Sequence, residues 1–166
     1  MATDTDLLQE VSQFLYREAR LQDTHAYDAW EALWDDDAVY WVPANGEDID
    51  PEREMSFIYD NRSRISLRIK QLKTGKRHSQ TPPSKLARII SNVELLDSAD
   101  SQIRVAANAM IFESNMRGDT VWASRNEYTL RRIGDALKMS RKKVAQKARE
   151  DHYPAPYAII TLWKDF

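Results

Sequence analysis

Three histidines, His25, His78 and His152, are the side chains here best suited to hold a metal or move a proton near neutral pH. Asp23-Thr24-His25 and Asp151-His152 each set a carboxylate beside an imidazole, the donor types of a non-haem iron facial triad. Their placement argues against ligation. His25 falls at a predicted helix start, His78 in a charged loop and His152 before Pro154, so all three read as surface histidines. The second chemistry open to the chain is cofactor-free acid–base catalysis, pairing a tyrosine donor with a carboxylate or histidine base. Tyr16, Tyr27, Tyr40, Tyr59 and Tyr128 lie on or near predicted core-facing stripes, and Asp37 is the carboxylate able to face a cavity. Tyrosines at such spacing are more often core with one satisfied polar tip. The run Asp35-Asp36-Asp37 is more often a solvated helix end, so catalysis stands here as the alternative.

Other chemistries are excluded by what the chain lacks. It has no cysteine, hence no disulfide, no thiolate nucleophile and no cysteine-ligated zinc or iron–sulfur cluster. Ser79, Ser84 and Ser140 have no nucleophile-elbow pattern around them, and four glycines do not make a phosphate-cradling loop. With 24 basic and 26 acidic residues the formal net charge is −2, which argues against a nucleic-acid partner. Lys138 with Arg141-Lys142-Lys143 is a basic cluster expected to lie on a strand, partly on an exposed face or at the rim of a contact with an acidic partner. The acidic start Met1-Ala2-Thr3-Asp4 does not resemble a signal peptide, and no apolar run approaches a membrane span. A cytoplasmic protein without membrane or nucleic-acid partners is expected.

The elements that must position these residues divide into two halves. Leu7, Leu8, Val11, Phe14 and Leu15 predict an amphipathic first helix capped by Thr3 or Asp4. A second, shorter helix is predicted from Asp23 or Thr24, with Tyr27, Trp30, Leu33 and Trp34 on one side and Asp35 to Asp37 ending it. Val39 to Val42 predicts a strand, and Ala44 to Arg53 a polar loop. Met55, Ile58, Tyr59, Ile65, Ile69 and Leu72 predict one long helix closed by Gly75. From Arg88 onward the period falls to two. Arg88–Leu96, Ile103–Ile111, Val121–Leu130 and Leu137–Ala145 predict strands joined by turns at Arg117-Gly118-Asp119 and Ile133-Gly134-Asp135, with a final strand over Ala158–Trp163. Helices followed by strands, in 166 residues, predict one α+β domain over 1–166: a curved antiparallel sheet packed by N-terminal helices.

The order of these patterns resembles the small β subunits of aromatic-ring-hydroxylating dioxygenases. Glu18-Ala19-Arg20-Leu21-Gln22-Asp23 is similar to that family's Glu-Ala-x-Leu-x-Asp segment, followed here by Tyr27-Asp28-Ala29-Trp30 and then Asp37, Tyr40 and Pro43. Arg68-Ile69 and Leu72, Pro82-Pro83-Ser84, Arg88-Ile89-Ile90-Ser91-Asn92-Val93 and Gly134-Asp135-Ala136-Leu137-Lys138 follow in the family's order. Residues 41 to 59 resemble the benzoate-type branch. Lys85-Leu86-Ala87 departs from the family's commoner Arg-Thr at that point, and Pro154 and Pro156 depart in the tail.

The resemblance implies an NTF2-like, cystatin-like cone and a non-catalytic subunit that forms trimers within a three-α, three-β oxygenase. It also implies that the Rieske cluster and mononuclear iron sit in the α partner, which is supplied with electrons from NADH through a reductase, and that this chain holds no cofactor. Trp122, Trp163 and Phe166 are the expected interface residues. The alternatives are a stand-alone isomerase or dehydratase of the same fold, and a small-ligand-binding module.

Overall fold

The structure, a computed structural model, describes residues 3–44, 50–74 and 83–147. Helix α1 (Asp4–Asp23) starts at Thr3, whose hydroxyl accepts from the Asp6 backbone N–H while the Asp6 carboxylate accepts from the Thr3 N–H. That reciprocal cap satisfies two otherwise orphan donors. Its buried face runs Val11, Phe14, Leu15, Glu18, Ala19, Gln22. The helical period therefore carries two polar side chains into the interior together with the apolar ones.

Helix α2 is short, Tyr27–Glu31, and its N-cap is Ala26, without a side-chain cap. Asp23 and Thr24 do not cap it, contrary to the sequence expectation. The Thr24 hydroxyl turns back to the Arg20 carbonyl at 2.9 Å, and Asp23 is committed to Arg88. Trp34, expected on this helix, opens strand β1 (Trp34–Pro43), which also contains Asp35 to Asp37.

The long helix expected from Met55 is two elements. Strand β2 (Ser56–Asn61) pairs antiparallel with β1, and helix α3 (Arg62–Lys73) begins where the Asn61 side chain accepts from the Arg64 N–H at 3.0 Å. Ile58 and Tyr59 sit at helical spacing from Ile65, but Ile58 and Asp60 also alternate inward, and pairing with β1 selects that reading. Gly75, expected to close the helix, lies outside the described residues.

Strands β3 (Lys85–Ala99), β4 (Gln102–Asn115), β5 (Gly118–Ile133) and β6 (Ala136–Gln146) form the expected antiparallel meander. The six-stranded order is β2-β1-β6-β5-β4-β3, in which β1 runs parallel to β6 and every other neighbouring pair is antiparallel. Gly134 takes a positive φ in the β5–β6 turn. The β3–β4 turn puts Asp100 and Ser101 both at positive φ, the backbone that a two-residue hairpin loop needs. The helices cover the concave face of the sheet over Val11, Leu15, Trp30, Ile65, Ile69, Val105, Leu130 and Met139. The α+β layout expected from the sequence is the one found. The final strand expected at Ala158–Trp163 lies outside the described residues.

Candidate functional site

A catalytic pocket in such a cone would lie between α1 and the sheet, and this space is filled by a buried ion pair. Glu18 reaches it from the core face of α1. Lys142 reaches it from β6, where it sits in register between Tyr40 of β1 and Tyr128 of β5. Lys142 Nζ donates to Glu18 Oε1 at 2.5 Å, and Trp30 Nε1 donates to the same oxygen at 3.0 Å. The ammonium lies 5.7 Å from the Tyr40 ring centroid and 5.6 Å from that of Tyr128. Neither charged group is more than 3% exposed.

Other hydrogen-bonded polar groups lie around the pair. Ser124 Oγ donates to Asn126 Oδ1 at 2.8 Å, and Asn126 Nδ2 donates to the Tyr128 hydroxyl at 3.1 Å. The Asp23 carboxylate receives the Arg88 guanidinium at 2.5 Å and the Arg88 backbone N–H at 2.9 Å, which ties the end of α1 to β3. Hydrogen-bonded polar groups in an interior fix the positions of the elements that carry them. The space left among these side chains is about 30 Å³. It has room for a water, but small-molecule pockets run to roughly 300–1,000 Å³.

The electrostatics agree with a closed core. Burial, reinforced by Glu18, pushes the Tyr40 phenol far above the ordinary tyrosine range, and Tyr128 moves the same way. Both keep their protons. Burial lowers the Lys142 pKa while the Glu18 charge opposes it.

The other residues singled out by the sequence disperse. Tyr16 and Tyr59, expected toward the core, are exposed, whereas Tyr27 packs half-buried against it. Asp37 points outward from β1 and pairs with Arg131 at 2.7 Å, as Asp35 does at 3.2 Å. His25 is part-buried rather than a surface residue: its Nε2 meets the Ser84 carbonyl at 3.0 Å. Ser84 in turn donates to Glu113 at 2.7 Å, which also accepts from Trp122 Nε1 at 3.2 Å. His78 and His152 lie outside the described residues. Among the described residues no three His, Cys, Asp or Glu side chains gather to hold a metal. No helix among them is long and apolar enough to cross a membrane.

The basic cluster expected partly at the surface is split by the strand period. Arg141 and Lys143 stack on Trp41 from the outer face at 5.3 and 4.7 Å, while Lys142 between them points inside. Glu18, at helical spacing from Val11, Phe14 and Leu15, was the readable other half of the pair.

The outer face of the sheet has the opposite character. Register sets Ala87, Phe112 and Val121 side by side across β3, β4 and β5, with Ile89, Met110 and Ala123 in the next outward row. All six are exposed, the four large ones between 45% and 64%. Polar rows bound them: Ser91, Asn108 and Arg125 on one side, and Lys85, Ser114 and Asp119 on the other. A contiguous apolar patch with a polar rim marks a protein contact. Trp122 sits on the inner face opposite Ile111, half-buried, beside this patch in sequence but not part of it. Trp163 and Phe166 lie outside the described residues.

Comparison with known proteins agrees with this division. The family model described as ring hydroxylating beta subunit matches residues 17–149. The β subunit of toluate 1,2-dioxygenase from Pseudomonas putida is 30% identical over 142 residues, covering 82% of this chain and 88% of the relative. The small subunit of anthranilate 1,2-dioxygenase from Acinetobacter baylyi is 31% identical, covering 80% of this chain and 84% of the relative. The crystal structure of the benzoate 1,2-dioxygenase β subunit from Burkholderia mallei superposes with a TM-score of 0.72 at 27% identity, covering 89% of this chain and 92% of the other. The fold is the NTF2-like cone. The family model over residues 17–149 and relatives matched along most of both chains show that this chain belongs to the β-subunit family of aromatic-ring-hydroxylating dioxygenases.

Proposed function

We propose that residues 1–166 form one structural domain, that three copies associate through the apolar outer face, and that this trimer carries three iron-bearing α subunits. The Rieske cluster and the mononuclear iron belong to the α partner, and this chain supplies no ligand to either. A Rieske centre needs two cysteine thiolates, and this chain has none. Trp122, Trp163 and Phe166 are assigned to contacts between subunits, and the complex to the cytoplasm. Toluate, anthranilate and benzoate are all aromatic carboxylic acids, so the substrate assigned to the complex is of that class.

The observation that carries this reading is the pairing of a filled interior with an exposed apolar grid on the sheet. An enzyme of this fold needs the first to be open. A monomer would keep the second polar.

The test is co-expression with a ring-hydroxylating dioxygenase α subunit from the same genome, followed by sedimentation and product analysis. A red-brown complex of equal subunit numbers, oxidising an aromatic acid with iron confined to α, is expected. A colourless monomer that never binds the α subunit would refute the proposal.

A further inference from the structure

The helix side of the molecule carries a second surface, distinct from the outer sheet. An open groove of about 580 Å³ runs between α1 and the β5–β6 turn. Its floor is Phe14 and Leu137, and Asp135 stands on the turn at its edge. Its helix wall is a stripe with the spacing i, i+3, i+4, i+7: Gln13, Tyr16, Arg17 and Arg20. All four are exposed, and Tyr16 is 46% exposed although the fold buries Tyr40 and Tyr128.

Two features suit this wall to a partner. Neither Arg17 nor Arg20 has a carboxylate partner among the described residues, whereas Arg62, Arg68, Arg88, Arg125, Arg131 and Arg132 each have one. The Arg17 guanidinium lies over the Phe14 ring, 5.7 Å from its centroid. An ion pair also bridges the two walls of the groove. Arg132 clamps Glu10 through two bonds of 2.9 and 2.7 Å, fixing the hairpin to the helix and holding the Glu10 carboxyl below the usual carboxylate range.

We propose that this groove docks an acidic segment of the iron-bearing α subunit, its carboxylates on Arg17 and Arg20 and an apolar side chain against Tyr16 and Phe14. The proposal rests on the α-partner reading above. Glu10 is neutralised by Arg132, so Arg17 and Arg20 outnumber the remaining carboxylate Asp135, and that excess of positive charge favours an acidic occupant. Because copies of this chain use the sheet face, the helix face is left for the other subunit. Tyr and Arg are the residue types that dominate binding energy at such contacts.

The experiment uses the full-length chain co-expressed with the α subunit. Arg17→Glu/Arg20→Glu is compared with wild type for α affinity, and Tyr16→Ala is measured beside it. The double reversal is expected to weaken α binding about 100-fold and to abolish its salt dependence, and Tyr16→Ala to weaken it about 10-fold. Both variants should stay folded and self-associate like wild type; the thermal midpoint of the double reversal should drop slightly, because Arg17 leaves Phe14 and a carboxylate enters the last turn of α1. Variants that bind α as tightly as wild type overturn the groove while leaving the subunit assignment intact. A double variant that keeps α but loses self-association overturns it too, since the groove then belongs to copies of this chain. Wild-type protein that binds no α subunit overturns both readings together.

Discussion

The inside of the cone and the outside of its sheet, built from the same strands, follow opposite rules. Inside, β6 contributes Lys142 and β5 contributes Asn126 and Tyr128, polar groups that are buried and hydrogen-bonded. Outside, β4 contributes Met110 and Phe112, apolar groups with nothing described against them. A strand of period two can carry both programmes because alternate residues never share a face. The difference teaches how one set of strands divides its labour: the interior specifies the shape, and in the proposed assembly the exterior offers that shape to partners. Altering the interior should therefore change stability, and altering the exterior should change assembly.

The largest effect is expected at the ion pair. Lys142→Met removes the cation and leaves Glu18 buried beside Trp30 with its charge uncompensated, a loss of about 3–5 kcal/mol for a broken buried pair. Glu18→Gln combined with Lys142→Met should recover part of that, because no buried charge remains. Urea denaturation of the three proteins measures it. If Lys142→Met alone is neutral, the interior is wetter than its packing indicates and a ligand pocket there becomes credible.

The two neighbouring tryptophans give a finer comparison. Trp30 and Trp34 pack edge-to-face at 5.5 Å, and both are buried. Trp30 Nε1 donates to Glu18, whereas Trp34 Nε1 has no partner among the described residues. Substitution by Phe leaves a similar space at either site. Trp30→Phe should cost about 1.5–3 kcal/mol more than Trp34→Phe, the value of a hydrogen bond to a charged acceptor. Equal costs would mean that Glu18 does not depend on the indole.

Much of this division was legible beforehand, and the failures have physical causes. Strands β3 to β6 showed their period of two, and α1 showed its stripe and its cap. Residues 56–61 did not, because Ile58 and Tyr59 fit a helical stripe with Ile65, and only pairing with β1 decides between the two periods. Leu33 and Trp34 misled in the same way. The basic run 141–143 does not by itself say which member turns inward, although alternation along a strand must point Lys142 away from Arg141 and Lys143. The partner of Lys142, Glu18, lies 124 positions away, beyond any local pattern. The apolar grid was hidden for a related reason: Ile89, Met110 and Val121 looked like ordinary strand residues until register placed them on one face. The order of motifs along the chain, rather than any single site, carried the functional expectation.

High pH probes the interior from another side. The folded pKa values of Tyr40 and Tyr128 are raised above the unfolded value, so their contribution is fully present below about pH 10 and is lost as pH rises through the folded values. Lys142 works in the opposite sense. Its folded pKa is lowered, so its contribution increases with pH up to the unfolded lysine range of about 10.4. Stability should therefore fall once the pH passes about 10, and Tyr40→Phe/Tyr128→Phe should flatten that fall. Denaturant midpoints collected across that range measure the slope, and an unchanged slope in the double variant would assign the alkaline loss to other groups.

The smallest effect on stability, and the sharpest contrast with the interior, is expected on the outer face. Met110→Glu/Phe112→Glu places two carboxylates where the isolated subunit already exposes both side chains to water, so its denaturation midpoint should move by no more than about 0.5 kcal/mol. In an assembled trimer the same positions would be buried, and burying unpaired charge is costly. Sedimentation should then show monomer at concentrations where wild type is associated, with the fold and its alkaline profile unchanged. The interior substitutions should do the reverse, lowering the midpoint while the remaining folded protein still associates. Should the outer pair lower stability and leave association intact, something within this chain covers the grid, and the contact between copies would have to lie elsewhere on the molecule.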